Sequence, residues 1–405
     1  MINGADTAWL MMSSALVLMM TLPALGFFYG GLVQAKNILS VLFQTFAIAA
    51  LVSLLWFAFV YSEAFSGTGA WIGDLNAAFL MNMARDTAHP GTAIPESVFV
   101  MFQMTFAIIT PALIVGAYVE RIKFGAVLLF SGLWLVFVYA PVAHWIWGGG
   151  FFQSLGVMDF AGGIVVHLTA GLSAIVCAWM LGPRLGFPRS TQPPHAPWMV
   201  MVGAAFLWVG WFGFNAGSAL KAGADAGMTM LATHLAAATA TCVWVAIEWI
   251  KFGKPSLVGA VTGTVAGLAT ITPASGYVGP MGAVALGIIG GTVCYGAVAV
   301  VKRSFKIDDA LDVLGVHGVG GALGSLLVPF MVSIGTGGVP LARSALAQFA
   351  VQGEAVIAVG LWSVAATVLI ITVVKVTSGW RISRDAEVQG LDFSSHGETG
   401  YHNAG

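Results

Sequence analysis

The chain has 405 residues, 58% of them hydrophobic and only 8% charged. A soluble globular protein carries roughly a quarter of its residues as Asp, Glu, Lys and Arg, so this composition excludes a chain that could cover its own surface with polar groups. The formal net charge of −1 identifies no partner by its sign.

Apolar stretches of the length that crosses a hydrocarbon core of ~30 Å as a helix recur along the whole chain. They predict spans at 8–32, 38–61, 95–119, 124–146, 160–181, 197–217, 227–250, 256–272, 279–301, 311–330 and 350–376. The first begins MINGADTAWLMMSS, without the basic region of a signal peptide, and ends in GFFYGG rather than a small-residue cleavage motif. It is therefore expected to be a retained span. With the N-terminus outside, one set of loops and helix ends carries Lys36, Arg121, Lys123, Arg184, Arg189, Lys251, Lys254, Lys302, Arg303, Lys306, Lys375, Arg381 and Arg384. The opposite set holds only Arg85, Lys221 and Arg343. An excess of Lys and Arg marks the cytoplasmic side. The expected protein is all-α and polytopic, with eleven transmembrane helices, the N-terminus outside and the C-terminus cytoplasmic. A membrane domain covers 1–376 and a cytoplasmic tail covers 377–405.

Cys177, Cys242 and Cys294 all lie inside apolar stretches, which leaves neither a disulfide framework nor a thiolate metal site. Glycines recur at four-residue spacing, as in Gly259, Gly263 and Gly267, Gly287 and Gly291, and Gly320 and Gly324. This spacing lets helix backbones approach closely in a membrane.

Two segments echo each other 150 residues apart. Asp159-FAGGIVV-His167 and Asp309-ALDVLGV-His317 share the spacing D-x7-H, and GFFYGG (26–31) is echoed by FGFNAG (212–217). The echoes bracket two sets of five spans, about 8–181 and 197–330, with span eleven at 350–376. Five is odd, so the second set enters the membrane inverted, and such repeats place a functional site near the midplane. Eight residues of helix rise ~12 Å, which brings His167 and His317 to matching depth from opposite sides.

A lone buried histidine is most simply an interhelical hydrogen-bonder. Two at matching depth, each amid glycines, point instead to a lumen. Paired neutral imidazoles offer donors and acceptors and can relay a proton, which suits a small neutral molecule better than a dehydrated cation. No carboxylate or thiolate falls at ligand spacing near either ring, so no metal is expected. Asp159 is read as a helix N-cap that shapes the outer vestibule and supplies a negative field. Asp309 and Asp312 are expected as caps or inner-vestibule groups. Phe102, Phe106, Trp147, Trp211 and Phe214 are placed at the outer ends of their spans. With hydroxyls such as Ser218 they form a candidate cation-holding box, weighed against an ordinary interfacial aromatic belt.

These residues resemble the ammonium transporter (Amt/Mep/Rh) family, specifically its bacterial Amt branch. The resemblance is carried by GFFYGGLVQAKNILS (26–40), ALIVGAYVERIKF (112–124), HWIWGGG (144–150), DFAGGIVVHLTAG (159–171), WFGFNAGSA (211–219), GKPSLVGA (253–260), DDALDVLGVHGVGG (308–321) and GLDFSSHGETGY (390–401). It implies an eleven-span fold with a 5+5 inverted-topology repeat plus a final helix. It also implies that Trp147, Phe102, Ser218 and Asp159 recruit ammonium, that Phe106 and Phe214 form a gate, and that His167 and His317 form the twin-histidine pore and proton relay. The implied protein is a homotrimer in the cell inner membrane, regulated through its tail by a PII-type signal protein. It would pass ammonia, with methylammonium as an analogue. No cofactor, metal, nucleic acid or enzymatic activity is expected. The alternatives are an ammonium sensor signalling through a PII-type partner, and an Rh-like channel for another small neutral solute.

Overall fold

The computed structural model describes residues 1–81, 83–190 and 192–401. The expected tail residues 402–405 lie outside the described residues. The long helices are α1 (Gly4–Leu32), α2 (Ala35–Phe65), α3 (Glu96–Tyr118), α4 (Phe124–Ser154), α5 (Gly163–Leu181), α6 (Pro197–Gly217), α7 (Ala224–Phe252), α8 (Leu257–Ile271), α9 (Pro280–Arg303), α10 (Leu314–Met331) and α11 (Ala345–Thr377). Two short helices, α12 (Arg384–Gln389) and α13 (Leu391–His396), follow in the tail. No strand is present among the described residues.

The fold is an all-helical polytopic membrane fold. Ten of the long helices are long and apolar enough to cross a bilayer, and α8 is shorter, with 15 residues. It stops at Ile271, just before Pro273, and the chain runs on as turns through 272–277. A proline ring removes a backbone donor and clashes with the preceding turn.

The loops sort onto two faces. On one, Asn3 N–H donates to the Ala93 carbonyl, Phe151 N–H to Ala70 and Phe160 N–H to Pro273. On the other, Gln34 N–H donates to Glu120, Arg184 to Asp308 and Leu391 N–H to Asn37. We call these the Trp147 face and the Arg184 face. The bonds holding each face draw only on its own loops, as alternating helix directions require.

Close backbone approach packs the bundle. A Cβ on Gly267 of α8 would sit 2.6 Å from the Ala236 carbonyl oxygen of α7, and one on Gly287 of α9 would sit 2.7 Å from the same oxygen. Two neighbouring helices thus close on one turn of α7, and the four-residue glycine spacing serves that contact.

Ionic groups tie the Arg184 face together. Arg184 meets Asp308 through Nη2 at 2.8 Å and Nε at 2.9 Å, and reaches Glu120 at 2.8 Å. Glu120 also accepts from the Asn37 side chain at 2.8 Å, and Asn37 accepts from Leu391 N–H in the tail. Asp392 caps the first turn of α2 by accepting from Leu39 N–H at 3.1 Å and Ser40 N–H at 2.8 Å. Arg121 is fully buried beneath this layer and donates to the carbonyls of Gly182, Ala117 and Asp308. Burial lowers the Arg121 guanidinium to about 10, which leaves it charged at neutral pH.

Burial alone would raise the Asp308 carboxyl, but hydrogen bonding to Arg184 and the Arg184 and Arg121 charges outweigh it and hold it below the usual carboxylate range. The stabilisation is therefore complete above the unfolded value of about 3.9 and is lost as pH falls through the lower folded value. Asp308→Asn is expected to cost about 3–5 kcal/mol by leaving the buried Arg121 without its neighbouring carboxylate and Arg184 with Glu120 alone. Thermal unfolding of the purified protein should show a lowered midpoint, and acidification below about pH 4 should separate wild type and variant much less.

Candidate functional site

The site is built where α5 and α10 meet. Neither helix begins where the apolar pattern predicts. The expected spans 160–181 and 311–330 start instead at Gly163 and Leu314, because their approach segments are non-helical bends and turns ending in a left-handed residue, Gly162 (φ 110°) and Asp312 (φ 64°). His167 and His317 consequently sit about one turn inside their helices rather than at the end of eight helical residues. Each lies in a single wide π-helical turn, Gly163–Leu168 and Leu314–Gly318, a deviation that concentrates at functional positions.

Asp159 controls the first of these starts. Its buried carboxylate accepts from the backbone N–H of Gly162 at 3.1 Å, Gly163 at 2.6 Å, Ile164 at 2.9 Å and Val165 at 3.1 Å. Its carbonyl accepts the Trp147 indole N–H at 2.9 Å. Asp309 caps α10 more sparingly. One oxygen accepts from Leu314 N–H at 2.8 Å, and the other has no hydrogen-bond partner among the described residues. Asp312 pairs with Lys302 at 2.7 Å.

The histidines touch. Their Nδ1 atoms are 3.2 Å apart and their ring centroids 5.2 Å apart, with the planes 28° from parallel. A contact between two Nδ1 atoms requires one to donate and the other to accept. In the neutral pair the donating ring then has a bare Nε2, and the accepting ring carries its hydrogen on Nε2. The pair therefore offers one outward acceptor and one outward donor. His167 Nε2 is buried with no partner among the described residues. The neighbouring glycines bring the backbones together: Gly171 abuts Gly318, and a Cβ on Gly321 would sit 2.6 Å from the His167 Cβ.

Aromatic rings lead from the Trp147 face to this pair. Phe106 stands edge-on to Trp147 with centroids 5.9 Å apart and lies against Phe214 at 4.3 Å. Phe214 stacks on His167 at 5.9 Å. Three voids follow the same line. A cavity of about 380 Å³ on the Trp147 face is lined by Trp147, Ser218, Phe106, Gln103, Phe160 and His89, among others. Past the phenylalanine pair, an apolar void of about 10 Å³ is lined by Phe214, Trp211, His167 and His317, room for about one water-sized molecule. On the Arg184 face, a cavity of about 240 Å³ reaches His317, Asp312, Lys302 and Arg184.

The structure thus brings Trp147, Ser218, Phe106, Phe214, His167 and His317 onto one line. Two expected substrate-contacting residues stand behind it. Phe102 is buried at the back of Phe106, ring centroids 5.0 Å apart, and does not line the cavity. Asp159 also does not line it, since its carboxylate is used up on four backbone N–H groups. Trp211 does not lie at the outer end of its span. It stacks on His167 with centroids 5.4 Å apart and donates to Thr272 at 2.9 Å. Gln103, whose polarity within an apolar run marks a face turned away from lipid, also lines the cavity, as do Phe160 and His89, which no sequence signal singled out. Among the described residues no three His, Cys, Asp or Glu side chains gather as metal ligands.

Comparisons with known proteins identify the family. A sequence profile described as the Ammonium Transporter Family matches residues 8–401. The chain belongs to the ammonium transporter family. The transporter is 44% identical to a putative ammonium transporter of Methanothermobacter thermautotrophicus, covering 99% of each chain. It is 42% identical to an ammonium transporter of Bacillus subtilis, covering 98% of this chain and 99% of that one. A solved structure named as a sensor Amt protein superimposes with a TM-score of 0.90 at 30% identity, over 97% of this chain and 98% of that one.

Asp159→Asn keeps one acceptor oxygen and turns an amide NH2 toward backbone donors. Unsatisfied buried N–H groups cost about 1–3 kcal/mol each. The variant is therefore expected to unfold in detergent at least about 2 kcal/mol more easily, as measured by chemical or thermal denaturation.

Proposed function

We propose that the chain carries ammonium across the cell inner membrane by recruiting NH4+ on its Trp147 face, deprotonating it and conducting NH3 past the twin histidines. On this reading it has eleven spans, α8 being the eighth. The N-terminus and the Trp147 face lie outside, and the Arg184 face and tail are cytoplasmic. The uneven distribution of Lys and Arg between the faces supports that orientation. A 5+5 inverted repeat is supported by the matched Asp caps, π-turns and histidines at the starts of α5 and α10.

The observation that carries the proposal is the one-molecule apolar void closed on one side by Phe214 and on the other by the bridged histidines. A bare charge there costs at least ~2.5–3.5 kcal/mol. An ion that cannot give up its charge is rejected, and potassium resembles ammonium in charge but has no proton to give. Ammonia fits the pair's single donor and single acceptor. Trp147, Phe106 and Ser218 supply the outer cation site: the rings offer their faces, and the Ser218 hydroxyl donates to the Phe214 carbonyl at 2.9 Å, keeping its lone pairs free. Phe102 buttresses Phe106 from behind, and Asp159 fixes Trp147 and the start of α5. Phe106 and Phe214 form the gate between outer cavity and void. The histidines hydrogen-bond ammonia and relay the proton.

The transporter works as a homotrimer with one pore per subunit, as the family resemblance implies. The tail over 377–401 is regulatory. The Leu391–Asn37–Glu120–Arg184–Asp308 chain of contacts supports that role, because it ends six residues before the start of α10. A PII-type partner docking on this face would act through it. A sensing role would use the same contacts, and a channel for a neutral solute would have no use for an aromatic cation site.

Replacing both His167 and His317 with Leu is expected to lower methylammonium uptake at least about tenfold, the cost of losing one hydrogen bond to the permeant. Uptake by reconstituted vesicles at the wild-type rate would overturn the pore assignment.

A further inference from the structure

A third histidine on the Trp147 face has no part in the pathway as derived. His89 lies in the loop before α3, and its Nδ1 is 2.7 Å from Oε2 of Glu96. The Tyr61 hydroxyl donates to Oε1 of the same carboxylate. The imidazole stacks flat on Phe99, centroids 3.5 Å apart and planes 11° from parallel. The loop itself is pinned: Glu96 N–H donates to the Thr87 carbonyl at 2.8 Å, His89 N–H to Ile94 at 2.9 Å, and the Thr92 hydroxyl to the His89 carbonyl at 2.8 Å.

This arrangement fixes the ring chemically as well as spatially. A carboxylate at Nδ1 holds the hydrogen there and leaves Nε2 of the neutral ring as a bare acceptor. Nε2 makes no hydrogen bond among the described residues, and His89 lines the same cavity as Trp147 and Ser218. A latch between loop and helix would need only the Nδ1 contact. The free lone pair, backed by a carboxylate charge, suits a small cation that carries N–H donors. A nitrogen lone pair also discriminates, because hard alkali cations favour oxygen ligands.

We propose that His89 is an ammonium ligand in the outer cavity: its Nε2 accepts one N–H of the entering cation, with the Glu96 carboxylate behind it, upstream of Trp147 and Ser218. The proposal rests on the assignment of this face as the ammonium entry.

The test is the concentration dependence of methylammonium uptake by the full-length protein in vesicles. His89→Phe keeps a ring against Phe99 and removes the acceptor. It should raise the half-saturating concentration about tenfold, the loss of one hydrogen bond to a charged group, with the maximal rate little changed. His89→Gln, which restores an acceptor oxygen at similar reach, should recover most of the difference. Half-saturation at the wild-type concentration in His89→Phe would overturn the proposal, as would a lowered maximal rate alone, the signature of a latch. Should His89→Phe not reach the membrane, Glu96→Gln decides. It retains an acceptor for Nδ1–H without the charge, and an unchanged half-saturation there overturns the ligand role. Wild-type vesicles that take up no methylammonium would instead overturn the transport assignment itself.

Discussion

A helix that starts inside an apolar protein exposes N–H groups to a place with no water to receive them. The structure depends on how that constraint is met at α5. One carboxylate, Asp159, accepts four successive backbone donors, so the helix can begin deep in the bundle rather than at its surface. The start of α5 sets the position of His167, and the carbonyl of the same residue sets Trp147. Trp147 and His167 are thereby held in register by one residue whose side chain faces neither cavity. The cap of α10 is thinner, with one bond from Asp309 and a backbone turn at Asp312, and that end opens toward the charged Arg184 face.

Much of this was legible in the sequence because it follows from length and period. Apolar runs marked the helices, the D-x7-H echo marked the histidines, and the basic residues sorted the loops. The departures share one physical cause: non-local contacts outrank local pattern. The segment 160–162 is apolar enough for a helix, but Asp159 bends the chain over the first turn and delays it. Trp211 looks like an interfacial belt residue, yet stacking on His167 and a hydrogen bond to Thr272 draw it inward. Phe102 shares a face with Phe106 at helical spacing, and only the packing of α6 against α3, where Gly217 faces the Phe102 ring, shows which ring meets the cavity. His89 lies in a loop without periodicity, and nothing in its neighbourhood announces a partner seven residues on.

The Arg184 face is organised differently. Its contacts are ionic and chained, so each group is held by the next. Asn37 bridges the tail to Glu120, Glu120 to Arg184, and Arg184 to Asp308. Glu387 closes a second strand of the network by accepting from Arg381 at 2.8 Å and from Leu185 N–H at 2.8 Å. Charged hydrogen bonds of this kind couple more strongly than isolated surface pairs. The tail is therefore mechanically continuous with the segment that delivers His317, whereas the Trp147 face combines backbone bonds and aromatic packing with the separate Tyr61–Glu96–His89 contacts.

The Nδ1–Nδ1 contact gives the histidine pair a polarity. With a single hydrogen between two identical nitrogens, one ring is the donor end and the other the acceptor end. Passing a proton through the pair, in at one Nε2 and out at the other, exchanges those ends. The pair then points the opposite way and cannot pass a second proton in the same direction until hydrogens have been redistributed. On the proposed relay each passage would leave a record of itself in the orientation of a dipole, so the pair would behave as a turnstile with memory rather than as an open wire.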